Sequence, residues 1–457
     1  MLQYRIITVI LGMVGLIPLA THAETLTLAE ALALTYQTNP QLDAQRAALR
    51  ATDEGVAEAN AGWRPQISVS GSYGYETFHQ PAQPLFGVGG ISDYHPTTGD
   101  VSVTEPLFRG GRTYAEISKA KALVKAGRAQ LAATEESVLL SAVTAYMDVV
   151  RDEATVNFKR NAVSTLQTEF KAAQEGKEIG ELTRTDVAQS QARLSGAEAD
   201  LVTTEGQLAV SRSNFEHVIG RPAETLEDEP SPAKLPADEN AVVTAATQLN
   251  PQLVAARETA RASDYAVDDA IGALMPQLSV SGQYVYTQGS PNNLAPGTER
   301  YTTVLGQVTV PIYQGGSEEA AVRQAKQQRS QAEYLITDSE RQATDAAHSA
   351  WQAYTAAEAA IHSNEAQLEA NRIAFEGVKR EQQIGSRTVL DVLNAEQEML
   401  NSEVAVVQAK HDAVVAAYGV LSAMGQLTAQ GLALKVQIYD PKAYYDDNES
   451  RWFGLGD

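Results

Sequence analysis

Arg387 and Asp391 stand four residues apart just beyond Gly385, and Asp186 follows Gly180 by six. On a helix the first pair shares a face and forms an ion pair, and a carboxylate in a helix's first turn complements the positive end of its dipole. Charges so placed fasten a turn. The other reactive side chains stay apart. His22 lies near the N-terminus, His79 and His95 fall in a loop, and His217, His348, His362 and His411 are scattered along helices as surface residues, without the i,i+4 doublet that grips a metal. Acidic neighbours such as Glu135-Glu136 and Glu318-Glu319 read as solvated helix faces. There is no cysteine, hence no disulfide, thiolate ligand, thiol nucleophile or cysteine-borne lipid anchor. No G-x-S-x-G elbow or G-x-x-x-x-G-K phosphate loop occurs, and Gly87, Gly89 and Gly90 fall in a loop rather than at a strand-to-helix turn. The pattern points away from an enzyme, a metal centre or a bound cofactor. With 35 basic against 57 acidic residues and a net charge of −22, it points away from nucleic acid as well.

Long helices are the elements that would position such turns. Residues 113–174 and 317–382 contain no proline and are rich in Ala, Gln, Glu, Lys and Arg. A run of 62 residues reaches roughly 93 Å at about 1.5 Å per residue. Each run leads to a glycine suited to a left-handed cap, Gly180 or Gly385, and then to a returning helix over 183–219 or 388–424. Two shorter helices, 42–62 and 253–274, stacked end to end on the returning ones, match the length of the long partners. Val187, Leu194, Leu201, Leu208 and Phe215 recur every seven residues, with Ser190, Ala197, Thr204 and Ser211 beside them, and Val392 to Val420 repeats the pattern. A strict seven-residue repeat implies left-handed supercoiling and close side-by-side packing.

The chain is written twice. Asn39-Pro40-Gln41-Leu42 returns as Asn250-Pro251-Gln252-Leu253, and at the same offset 59–75 matches 270–286 at nine of 17 positions. Pro106-Leu107-Phe108-Arg109-Gly110-Gly111 likewise pairs with Pro311-Ile312-Tyr313-Gln314-Gly315-Gly316. Prolines 222, 230, 232 and 236 mark the joint. The organisation expected is a leader over 1–23, a first repeat over 24–235, a second over 236–440 and a tail over 441–457. The leader is a secretory signal peptide: Arg5, an apolar run over 6–19, and small residues at Thr21 and Ala23.

Four strands carry the alternation of a membrane barrel. Ile67, Val69, Gly71, Tyr73 and Tyr75 face away from Ser68, Ser70, Ser72 and Gly74, and Leu278 to Tyr286 repeats this. Val101 and Val103, then Val304, Val308 and Val310, mark the return strands, with Glu105 as a break and loops over 76–99 and 287–301. Four strands cannot close a barrel, since the smallest have about 8, and an open edge in lipid leaves backbone groups unpaired. Closure requires several copies. Charged helices of this length cannot lie in a hydrocarbon layer of about 30 Å, so they project into water.

The duplicated Asn-Pro-Gln-Leu helix, the Pro-Gln-(Ile/Leu)-Ser-Val-Ser-Gly strand, the Gly-Gly turn and the run Ile384-Gly385-Ser386-Arg387-Thr388-Val389-Leu390-Asp391-Val392-Leu393 resemble the TolC family of outer-membrane efflux proteins over nearly the whole mature chain. The tail, from Tyr439-Asp440-Pro441 to Trp452-Phe453-Gly454, is similar to members serving type I secretion. The resemblance implies a mainly α fold with a membrane β-barrel contribution: a homotrimer in which four strands per chain build one outer-membrane barrel, joined to a periplasmic α-helical barrel closed at its tip. It implies a passive exit duct for protein secretion, multidrug efflux or both, embedded in outer-membrane lipid. A periplasmic adaptor and an inner-membrane ABC or proton-driven pump would complete the machine. It also places a gate at the tip, with Asp391 as an acidic ring and Arg387 with Asp186 as a link, while Asn394 and Gln382 stand where the family's pattern has a second acid and a linking tyrosine. The alternative is a surface-anchored trimeric coiled-coil stalk, structural or adhesive, which would not need two matched hairpins in each chain.

Overall fold

The computed structural model describes residues 25–80, 90–228, 230, 234–289 and 298–455. The expected leader and the tips of both interstrand loops lie outside the described residues. In chain order the elements are α1 (Leu28–Thr38), α2 (Pro40–Asn60), β1 (Gln66–Tyr73), β2 (Glu76–Gln80), β3 (Gly90–Tyr94), β4 (Thr97–Arg109), α3 (Arg112–Glu178) and α4 (Arg184–Ile219). The copy follows as α5 (Glu239–Leu249), α6 (Pro251–Gly272), β5 (Gln277–Gln288), β6 (Thr298–Thr309), α7 (Ser317–Gln383) and α8 (Val389–Ala423), with α9 (Ala443–Asn448) in the tail.

The long helices α3 and α7 have 67 residues each, about 100 Å at ~1.5 Å per residue. The expected end-to-end stacking is present, and one side chain makes each splice. Asn39 caps α2 by accepting from the backbone N–H of Gln41 at 2.9 Å, while its amide donates to the Val218 carbonyl at 3.2 Å, near the end of α4. Asn250 does the same for α6 and the end of α8, through Gln252 and Ala423. The asparagine amide offers an acceptor and a donor on separate atoms here, and Pro at the next position loses no hydrogen bond because the first helical N–H is an orphan. The flanking helices α1 and α5, 11 residues each, were absent from the sequence expectation. Helices this short carry little periodic signal and owe their stability to packing.

The four long strands form one antiparallel sheet in the order β1-β4-β5-β6. Its register aligns Ile67, Val103, Gly282 and Val304 on one face, and Ser68, Ser102, Gln283 and Thr303 on the other. The polar face is cross-linked by Ser68 to Ser102 at 2.7 Å and by Gln283 to Asp100 at 2.7 Å. Glu105 shares the apolar face, but a bulge between Pro106 and Phe108 follows it and returns Phe108 to that face opposite Leu278. Glu105 thus interrupts the apolar alternation as expected, while strand β4 itself runs on through it to Arg109. The expected loop 76–99 holds the extra hairpin β2–β3, with Thr77 donating to Asp93 at 3.1 Å. Below the sheet, left-handed Gly110 passes so close to Gly272 that a side chain would strike its carbonyl.

The core lies at mid-length, not along the hairpins. Tyr146 and Phe215 are fully buried there among Leu32, Leu42, Leu139 and Ile219. The Tyr146 hydroxyl donates to the Leu26 carbonyl at 2.7 Å and accepts from the Glu227 N–H at 2.8 Å. Two polar expectations fail in this region. Glu136 is buried, and burial, with Glu135 beside it, pushes its carboxyl up to about 8, while Glu135 accepts from the N–H of Ala429, six residues beyond the end of α8. His411 is buried too, bridging Asp148 at 3.0 Å and Asp412 at 2.8 Å. Burial opposes its charge, but the two carboxylates prevail and raise its pKa. Helix α8 is apolar enough to resemble a membrane span, with mean hydropathy 1.2 over 18 residues, yet it packs along α7 and α3.

Candidate functional site

Two turns end the hairpins, and they are built alike. Gly180 and Gly385 adopt φ of 81° and 80°, a left-handed conformation that a side chain would strain. The N–H of Gly180 then reaches the Lys177 carbonyl and that of Glu181 the Gly176 carbonyl. In the second turn Gly385 reaches Gln382, and Ser386 reaches Glu381. These bonds satisfy the last carbonyls of α3 and α7. Each returning helix opens with a capping box, Thr183 with Asp186 and Thr388 with Asp391.

The capping geometry sets the state of the acids. The Asp391 carboxylate accepts from the Thr388 N–H at 2.9 Å and its hydroxyl at 2.8 Å. Those bonds, with Arg387 nearby, hold its pKa below the usual carboxylate range. Asp186 is held below that range by the N–H and hydroxyl of Thr183 in the same manner. Both acids stay ionised at neutral pH.

Arg387 and Asp186 line one cleft between the tips, about 740 Å³ in volume, together with Gln382, Gly385, Glu169 and Lys379. Within one chain Arg387 does not reach Asp186. It pairs with Glu381 across its own turn, Nε to Oε2 at 2.9 Å. Asn394 lies further up α8 and accepts from Arg193 of α4 at 2.8 Å, tying the two hairpins together. Deeper in, Glu396 is buried with one carboxylate oxygen unpartnered among the described residues. Burial, then Glu169, push its pKa up to about 7 against the pull of Lys379. Lys379 stands 4.0 Å from Glu169, whose own carboxyl burial also raises.

Sequence reasoning thus missed Glu381, Arg193, Glu169, Glu396 and Lys379. Glu381 precedes Arg387 by six residues with the Gly385 turn between them, so no helical spacing rule connects the two. Arg193 and Asn394 occupy different repeats. For Glu396 a signal existed: it follows Val392 by four residues, next to the seven-residue apolar spine. Chemically, the tips offer ionised carboxylates and guanidinium groups around a cleft. They suit the fastening of helices and the attraction of cations.

Residues 31–221 and 242–426 match the family model described as outer membrane efflux protein. The chain is 33% identical over 445 residues to the outer membrane efflux protein BepC of Brucella suis biovar 1, covering 95% of this chain and 93% of that one. It is 24% identical over 336 residues to the alkaline protease secretion protein AprF of Pseudomonas aeruginosa, covering 71% and 68%. Among solved structures, the CmeC outer membrane channel of Campylobacter jejuni matches with a TM-score of 0.78 at 17% identity, covering 92% of this chain and 89% of that one.

Proposed function

The chain belongs to the outer membrane efflux protein family, and on that premise we propose that it is the exit duct of a three-part export machine. One observation carries the reading. The four-stranded sheet is apolar on one face and open at both edges, β1 and β6, among the described residues, and each half of it leads through a Gly-Gly turn into a helix of 67 residues. Such a sheet is unstable in lipid until its edges are paired, so copies must close it. Three copies give a barrel whose lumen is continued by the helices across the periplasm. That relatives include a protein named for protease secretion and one named for efflux supports this reading over a solid stalk.

The duct itself is passive. A periplasmic adaptor and an ABC or proton-driven inner-membrane pump supply the energy and act on the tips. There, three copies of Asp391 form an acidic ring that concentrates cations. Asp186 and Arg387 face one cleft, and their link is completed when the tips of neighbouring chains approach. Gln382 lines the same cleft, and Asn394 holds α8 to α4. Gly180 and Gly385 let the tips turn back sharply enough to gather around one axis. Purified protein in a planar bilayer should show low, discrete conductance and run as a trimer. A trimer that passes no ions under any voltage would overturn the duct.

A further inference from the structure

The described part of the tail, through residue 455, leaves the helices it crosses. Beyond α9 it returns to the root of the sheet, where Asn60 donates to the Glu449 carbonyl at 2.9 Å and Arg64 to the Arg451 carbonyl at 2.7 Å. The Arg64 guanidinium also covers the Trp452 ring, 4.7 Å from its centroid. Arg64 lies two residues before β1 begins at Gln66. Trp452 is therefore clamped at the level where the chain passes from helix to strand. Even in the clamp Trp452 stays 59% exposed, and past it Phe453 and Leu455 are 87% and 107% exposed. Arg451 beside them is exposed and has no ion pair among the described residues.

Depth identifies the occupant. The apolar face of the sheet starts with Ile67 and Val69, exposed on the outermost strand. Those residues lie roughly 10–17 Å beyond Arg64 at about 3.3 Å per residue. Trp452 thus stands at the edge of the hydrocarbon-facing band, the zone in which Trp and Arg are enriched because one end of the side chain is wet and the other apolar. The neighbouring rim carries further exposed apolar side chains, Trp63, Phe108, Ile312 and Tyr313, so the apolar surface at this level is broader than the tail. None of the five described clefts is lined by residues of 451–455. A chain without cysteine has no acyl group on a thiol to add to its barrel.

We propose that residues 451–455 form an interfacial foot that seats Trp452, Phe453 and Leu455 in the periplasm-facing phospholipid leaflet of the outer membrane. Arg451 lies against lipid phosphate, and Arg64 fixes the depth. The inference rests on the exit-duct reading for its membrane. It is tested on full-length protein with Trp63→Phe and Trp351→Phe, which leaves Trp452 as the one tryptophan of the three. The protein is reconstituted in phosphatidylcholine–phosphatidylglycerol vesicles with or without bromine on the acyl chains. Trp452 emission should fall about twofold with bromine near the headgroup, less with bromine near the chain end, and little with aqueous iodide. Adding Phe453→Ser and Leu455→Ser leaves the Arg64 contact intact and should weaken the bromine effect, with channel conductance unchanged. Quenching by iodide alone would overturn the foot in favour of a water-exposed tail. Protection from both quenchers would overturn it in favour of burial against a second copy. Conductance recorded on the same protein separates the two ideas: a conducting trimer whose Trp452 ignores bromine rejects the foot and leaves the duct standing.

Discussion

Asp391 joins a local role, capping its helix, to the collective one we propose for it in the acidic ring. Its carboxylate caps its own helix through Thr388, and that bond keeps it ionised. Asp391→Asn retains an acceptor for the cap but removes the charge, so block of the channel by a trivalent cation should weaken at least tenfold; block as strong as before would remove Asp391 from the ring. For Arg387→Ala combined with Asp186→Ala, single-channel conductance should rise. Glu381→Ala alone breaks the contact made within one chain and should do less; equal effects would place the closing contact inside the chain. Glu396 supplies a pH handle of defined sign. Its folded pKa, about 7, exceeds the ordinary glutamate value of 4.5, so the folded state binds the proton more tightly and stability falls as pH rises between those values. Glu396→Gln should flatten that decline by roughly 1–3 kcal/mol. Thermal melts at pH 5 and pH 8 measure it, and an unchanged difference between the two would exonerate Glu396.

Among the elements, the splices at Asn39 and Asn250 make two short helices act as one long partner. Asn39→Ala removes both the cap and the donor to Val218 and should lower stability by about 1–2 kcal/mol in denaturant unfolding. Asn39→Asp keeps the cap, loses the donor and should lose less. If alanine and aspartate behave alike, the amide donor contributes nothing. The seven-residue spine was legible because neighbours at that spacing share one face; Leu208, Phe215, Val392, Val406, Ala413 and Val420 are buried, while Val187, Leu194, Leu201 and Met399 are half-buried. The second strand pair β2–β3 was not legible, because its residues lack alternation and its pairing depends on a loop closing. Nor were Glu136 and His411 recognisable as buried, since their cover comes from far along the chain: the segment just after α8 reaches the Glu135–Glu136 pair, and α3 reaches His411, each from 260 residues or more away.

At the scale of the whole molecule, α3 and α7 have equal length and unequal burial. Helix α3 buries Leu131, Val138, Leu139, Tyr146 and many others, whereas α7 buries only four alanines, Ala325, Ala332, Ala343 and Ala347. Tyr334, Leu335 and Ile373 of α7 are 77%, 52% and 63% exposed in the single chain. A helix about 100 Å long with so little cover is where the proposed neighbouring copies would pack, as they would at the open edges of the sheet. Tyr334→Glu with Leu335→Glu should therefore shift trimer toward monomer in light scattering. An unshifted trimer would mean that this face of α7 meets water.

Duplication, helix length, strand alternation and the glycine turns at the tips could be read directly from the residues, because each is periodic or local and its signal lies within a few positions of itself. The partners of charged groups could not. Whether Arg387 meets Glu381 or Asp186, whether Glu396 and His411 are wet or buried, and where the tail comes to rest depend on segments far apart along the chain arriving at one place. Packing decides those contacts, and no spacing within the sequence encodes it.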